Sequence, residues 1–158
     1  MNETIDIHKN FQIGNLKNIQ VEKSAQVSIC ENVIFREFTN ILVNGGASLT
    51  IHKNVFFNNS CSINCWNKIE IGENTLFGEG VKIYDHNHRY SINPLIVNRG
   101  AFTTSPLSIG KNCWIGSNVT ILKGASIGDN VIIGANCLIY KHIPSNPTYL
   151  TMTTIYIT

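Results

Sequence analysis

The chain has 158 residues, a formal net charge of +2 and 14% charged residues. That length fits one domain with a core of its own. The weak charge argues against nucleic acid as the main partner, and without a run of 18 apolar residues no membrane insertion is expected.

The N-terminal stretch MNETIDIHKNFQIG has no positive start followed by an apolar run. No secretory signal is read there, so a cytoplasmic location is expected. The five cysteines, Cys30, Cys61, Cys65, Cys113 and Cys137, are odd in number and form no C-x-x-C. They read as reduced thiols, with a zinc site on Cys61 and Cys65 as the weaker alternative. Isoleucine (24) and asparagine (21) dominate the composition. Isoleucine favours strands. Asparagine favours turns and tolerates left-handed backbone. Short strands joined by tight turns are therefore predicted.

In chain order, the pattern is loose before residue 29. Apolar residues then recur every six positions at Ile29-Phe35-Ile41 and at Ile51-Phe57-Ile63. The phase slips by two before Ile71-Phe77-Ile83. It resumes at Ile109 and runs through Ile115, Ile121, Ile127 and Ile133 to Ile139. The first residue of each hexad is large and apolar and points inward. The fourth is Asn32, Asn54, Asn74, Gly80, Asn112, Asn118, Gly124, Asn130 or Asn136. These residue types accept positive φ, so a corner is predicted at each. The fifth is often small, as at Cys61, Cys113, Val119, Ala125, Val131 and Cys137, and shares the interior. A period of six excludes a helix and fits a parallel β-helix of stacked coils.

The run PLSIGKNCWIGSNVTILKGASIGDNVIIGANCLIYKHIP, with the hexads before it, resembles the hexapeptide-repeat acyltransferases over roughly residues 27 to 147. The resemblance implies an all-β fold: a left-handed parallel β-helix, or hexapeptide solenoid, with three hexads to a coil. It would fill residues 1–158 as one domain, with one long excursion loop at 89–106 and an atypical tail at 145–158. The left hand is implied by the resemblance alone, since parallel crossovers are otherwise right-handed.

The excursion begins at YDHNHRY, residues 84–90, and the next clean hexad opens 26 residues after Ile83. Long loops in compact repeats tend to be functional. Counting from Ile83 puts His86 at a corner and His88 facing outward. The segment His88-Arg89-Tyr90 is similar to the His-x-Tyr of sugar O-acetyltransferases in this family, including the maltose, galactoside and capsular enzymes. The resemblance makes His88 the catalytic base and His86 its neighbour, with Asp85 a candidate to orient His88 by proximity. A sugar hydroxyl is a poor nucleophile, and an imidazole can take its proton as it attacks a thioester carbonyl. The developing oxyanion needs a donor such as a backbone N–H. No cysteine nucleophile is required.

Further roles are implied residue by residue. Ser117 in WIGSN matches a residue whose main-chain N–H meets the thioester carbonyl. Trp114 matches an aromatic beside the pantetheine arm, and Lys141 a lysine near the CoA nucleotide; Ala135 joins them on the cofactor side. Asn58, 30 residues before His88, matches a sugar-contacting asparagine, and Tyr84 is placed with the acceptor. Each also has a plain structural reading as a turn, a cap or a solvated surface residue. The co-substrate implied is acetyl-CoA, with no metal. The acceptor implied is a sugar or a nucleotide- or lipid-linked glycan of capsule or O-antigen biosynthesis. The family packs three prisms around grooves, so a homotrimer is implied, with outward Trp66 a candidate contact. The family's usual turn and basic residues are missing after Lys141, leaving Lys111, Lys123 or Arg99 as substitutes toward the CoA phosphates. Two rival readings are a non-catalytic structural or binding solenoid and a zinc carbonic-anhydrase-like enzyme using His86 and His88.

Overall fold

The computed structural model describes residues 4–145 and the backbone of 149–150. The strands are short and stack in parallel into three sheets of seven, seven and six strands among the described residues. The first face contains Gln26–Ile29, Ser48–Ile51, Lys68–Ile71, Leu107–Ile109 and Ser126–Ile127. The second contains Ile34–Phe35, Phe56–Phe57, Leu76–Phe77, Trp114–Ile115 and Ile132–Ile133. The third contains Thr39–Val43, Ser62–Cys65, Lys82–Tyr84, Thr120–Ile121 and Leu138–Ile139. The chain visits the faces in that order and returns, so the molecule is a β-solenoid, as the hexads predict.

The register explains the period. Ile29, Ile51, Ile71, Ile109 and Ile127 pair in succession up the first face and are buried. On the second face Phe35, Phe57 and Phe77 stack with ring centroids 4.2 and 4.4 Å apart and planes 4° from parallel. Truncating a fully buried ring such as Phe57 to alanine costs about 3–5 kcal/mol, because transfer and cavity penalties add. All nine Asn and Gly corner residues adopt positive φ, between 56° and 77°, whereas His86, also counted to a corner, instead opens the strand His86–Ile92. One corner carries a side-chain amide ladder through Asn32, Asn54, Asn74, Asn112 and Asn130, with bonds of 2.9–3.1 Å. Fifth-position residues fill the interior, including Cys61, Cys113 and Cys137, and none of the five cysteines is in a disulfide.

Three details differ from the sequence expectation. The solenoid already includes the segment before residue 29 where the pattern reads as loose, because Thr4–Ile7 and Lys17–Val21 pair with the next coil. Ile7, Ile13 and Ile19 stand six apart there and pair with Ile29, Phe35 and Ile41, so the hexad spacing does run through the first coil, one slip out of phase with the next. The coils are also unequal. Successive rungs of the asparagine ladder are 22, 20, 38 and 18 residues apart. The early coils are longer because their third-face strands have five residues, against two at Thr120–Ile121. The spacing of 38 contains the excursion, and that excursion is an ordered hairpin. His86–Ile92 and Leu95–Thr104 pair antiparallel. Most of the atypical tail, at 146–148 and 151–158, lies outside the described residues.

Candidate functional site

The hairpin leaves the corner between the third and first faces, and Asp85 fixes that departure. Asp85 is fully buried. Its Oδ1 accepts the Trp66 N–H and its Oδ2 the Asn67 N–H, each at 2.7 Å. Asp85, expected by proximity to orient His88, thus has its carboxylate on these two amides. The carboxylate holds the corner of the coil below, where charge-assisted bonds to backbone amides offset its desolvation. The hairpin base is tied down by Ser105 N–H to Asp85 O at 3.0 Å and by Asn67 Nδ2 to Thr104 Oγ1 at 3.1 Å.

His86 packs inward, with a side chain 16% exposed. Its ring lies 4.9 Å from that of Trp66, 5.5 Å from Phe102 and 6.3 Å from Tyr84. Nδ1 is 3.6 Å from Asp85 Oδ1, and it and the Trp66 indole N–H are buried without a hydrogen-bond partner. Burial pushes the imidazole below its ordinary pKa, partly offset by the Asp85 charge. Trp66, the candidate contact between chains, is half-buried, with the Phe102 ring 4.0 Å from its own.

His88 is exposed and stands at an irregularity in the hairpin. It pairs with Phe102, whereas the next residue, Arg89, pairs with Asn98. The second strand therefore bulges at residues 99–101, and the Asn98 side chain closes the bulge by accepting the Gly100 N–H at 2.9 Å. The slip brings the Asn98 carbonyl oxygen to 3.3 Å from His88 Nδ1. A carbonyl only accepts, so it selects the tautomer with hydrogen on Nδ1 and a lone pair on Nε2. Beneath the imidazole lies the Phe102 ring, 4.6 Å away. Asn87, His88, Arg89, Tyr90, Thr103 and Lys123 line an open groove of about 440 Å³.

The residues expected on the cofactor side, Lys141 excepted, sit elsewhere. Ser117 and Ala135 occupy the corner between the second and third faces, in successive coils. Glycine lets those coils close up: a Cβ at Gly78 would stand 2.6 Å from Ser117 N, and one at Gly116 2.6 Å from Ala135 N. Asn58 shares that corner two coils below Ser117, and its Oδ1 accepts the Asn59 N–H at 2.8 Å. Trp114 projects from the second face with 57% exposure, beside exposed Leu76. Lys141 returns to the hairpin corner, with Nζ 5.2 Å from the Tyr140 ring centroid. Within one chain, then, Tyr84, His86, His88 and Lys141 gather at one corner and Asn58, Ser117 and Ala135 at another.

Asn98 and Phe102 escaped the sequence reading. Their signal was the alternation around Asn93-Pro94, a turn dipeptide between apolar residues that reads as a hairpin. Among the described residues no group of three or more His, Cys, Asp or Glu is arranged to hold a metal ion. No helix there is long and apolar enough to cross a membrane.

The chain matches the bacterial transferase hexapeptide (six repeats) family over residues 106–141. Its fold is shared with solved acyltransferases. AntD, an N-acyltransferase from Bacillus cereus solved with dTDP and 3-hydroxybutyryl-CoA, is 19% identical, with a TM-score of 0.65 over 84% of this chain and 74% of that one. The polysialic acid O-acetyltransferase OatWY is 23% identical, with a TM-score of 0.58 over 93% of this chain and 79% of its own. A maltose O-acetyltransferase from Clostridium difficile 630 is 27% identical, with a TM-score of 0.51 over 91% of this chain and 63% of that chain.

Proposed function

We propose that this hexapeptide-repeat solenoid is an acetyl-CoA-dependent O-acetyltransferase acting on a sugar hydroxyl, with His88 as general base. The observation that carries the reading is the contact between His88 Nδ1 and the Asn98 carbonyl at 3.3 Å. It leaves Nε2 as the proton acceptor on an exposed ring beside a groove. The acceptor hydroxyl gives its proton to Nε2 as its oxygen bonds to the thioester carbonyl carbon. The oxyanion is met by a main-chain N–H, for which Ser117 is the candidate. The carbon–sulfur bond then breaks, and the leaving thiolate takes the proton back from the imidazolium.

His88 and Ser117 stand at different corners of one prism. That separation supports a homotrimer in which one chain supplies His88 and its neighbour the Ser117 amide and the Ala135 and Trp114 surface. Tyr84 and Asn58 are the proposed acceptor contacts, with Lys141 toward the CoA nucleotide. The likeness in fold to AntD and OatWY supports a glycan or sugar-nucleotide acceptor, and surface-polysaccharide biosynthesis in the cytoplasm is the proposed setting.

The test is CoA release from acetyl-CoA with a panel of sugars, amino-sugar nucleotides and nucleotide sugars, for wild type and His88→Ala. Release that falls by about 10²–10⁴ in the variant is expected, the usual contribution of a general base. Undiminished release in the variant removes His88 from the mechanism. Transfer confined to amine acceptors replaces the O-acetyl reading with an N-acyl one.

A further inference from the structure

We propose that the acceptor carries a negative charge next to the hydroxyl that is acetylated, held by Arg89 and Lys123. The inference rests on the reading of His88 as base. The groove that borders His88 is lined by Asn87, Arg89, Tyr90, Thr103 and Lys123, two cations and no carboxylate. The wider charge pattern is lopsided in the same sense. Residues 86–128 include Arg89, Arg99, Lys111 and Lys123 and not one Asp or Glu. Asp85, at the edge of that stretch, is buried with its oxygens on the Trp66 and Asn67 amides. On the first face and the corner after it, by contrast, cations meet acids: Lys68 pairs with Glu70 at 3.1 Å and Lys53 with Glu73 at 3.6 Å.

Arg89 is also prepared for a ligand. Its Nε donates to the Phe102 carbonyl at 3.1 Å, which anchors one edge of the guanidinium. The two terminal nitrogens remain as a planar fork that suits a carboxylate or a phosphate. Lys123 follows Leu122, whose N–H bonds Ile139 O at 2.8 Å, and is half-buried where the third face ends. One cation thus comes from the hairpin and one from the solenoid wall, with His88 lining the same groove. A neutral sugar leaves both charges without a partner; an anionic one meets them and is oriented by them.

The probes are glucose, glucuronate, glucose 1-phosphate and UDP-glucose, with acetyl transfer and KM for acetyl-CoA read for wild type, Arg89→Gln and Lys123→Gln. The charged probes are expected to exceed glucose in kcat/KM by about tenfold or more, the usual strength of one charge-assisted bond. Each variant is expected to lower that charged-to-neutral ratio by about tenfold. Glucuronate favoured over the phosphates identifies a carboxylate on the sugar; the reverse identifies a phosphate. A ratio the variants leave unchanged, or a rise in KM for acetyl-CoA in its place, overturns the proposal and gives these cations to the coenzyme. If no probe is acetylated, the transferase reading fails separately and the inference is read from binding. In that case melting temperatures with glucuronate or glucose 1-phosphate against glucose decide, and a shift indifferent to charge or to both variants overturns it.

Discussion

His88 and Phe102 face each other across the hairpin, with ring centroids 4.6 Å apart and the Phe102 ring itself lying on Trp66 at 4.0 Å. The candidate base thus rests on an aromatic stack rooted in the solenoid. Phe102→Ala removes the support while leaving the imidazole and its carbonyl partner in the chain. A misplacement of about 1 Å costs on the order of 10² in rate, so kcat is expected to fall by roughly 10–100-fold with KM for acetyl-CoA little changed. Phe102→Leu should restore part of it. A rise in KM with kcat intact would show that Phe102 serves binding instead.

Asp85 is expected to matter for stability before chemistry. In Asp85→Asn the side chain keeps one oxygen acceptor where two backbone amides need one each. Losing a charged acceptor costs about 1.5–3 kcal/mol. Urea unfolding should show a lower midpoint by that measure, and amide exchange at Trp66 and Asn67 should quicken. An unchanged midpoint would mean that the corner holds without the carboxylate.

The legibility of this fold follows from corner chemistry. Asparagine and glycine mark the tight turns because they tolerate positive φ, and every corner they mark is there. Ser24, Phe38 and Ser60 turn corners at φ of 66°, 59° and 61° with no such signature, so the sequence is silent at those points. The four extra residues in the early coils hide in the alternating third-face strands, where Ile41 and Val43 both face inward. At the candidate site, His88 was readable as an outward residue at a break in phase. Its partners were not, because Asn98 acts through a backbone carbonyl and Phe102 through a hairpin register set by a bulge.

The ladder gives a clean test of that corner chemistry. Asn74 sits at φ 59° and bonds Asn54 and Asn112 through its side chain. Asn74→Gly loses the side-chain bonds but keeps an easy backbone. Asn74→Ala loses both, and left-handed backbone costs about 1–2 kcal/mol in a residue with Cβ. The alanine variant is therefore expected to be the less stable of the two in chemical denaturation. Equal stabilities would deny the backbone strain.

Stability should also fall on mild acidification because of His86. Burial lowers its pKa in the folded chain, Asp85 opposes this, and His88 adds to the lowering. The unfolded chain takes up its proton near pH 6.5 and the folded chain only further down. The unfolded state therefore binds more protons within that window, and stability drops as pH falls below about 6.5. His86→Phe, which keeps a ring against Trp66 and Phe102, should flatten the melting-temperature profile there. An identical slope in the variant would assign the effect to other groups.

Thiol chemistry offers a check on the interior. Burial pushes the Cys61 thiol up to about 11 and the Cys65 thiol up to about 12, and raises Cys113. Iodoacetamide at neutral pH should leave these three unmodified in the native protein and alkylate them in urea, as peptide mass spectrometry would show. Rapid native labelling of Cys61 or Cys65 would contradict their place in the core.

Ile71 pairs directly with Ile109, and Phe77 with Ile115, as though the hairpin between them did not exist. The walls close above and below the insertion, so the protruding segment is a cassette rather than a strut. Recombination at its two roots could exchange one hairpin for another while the scaffold keeps its register. A lineage of such proteins can therefore diversify what it recognises without renegotiating how it folds.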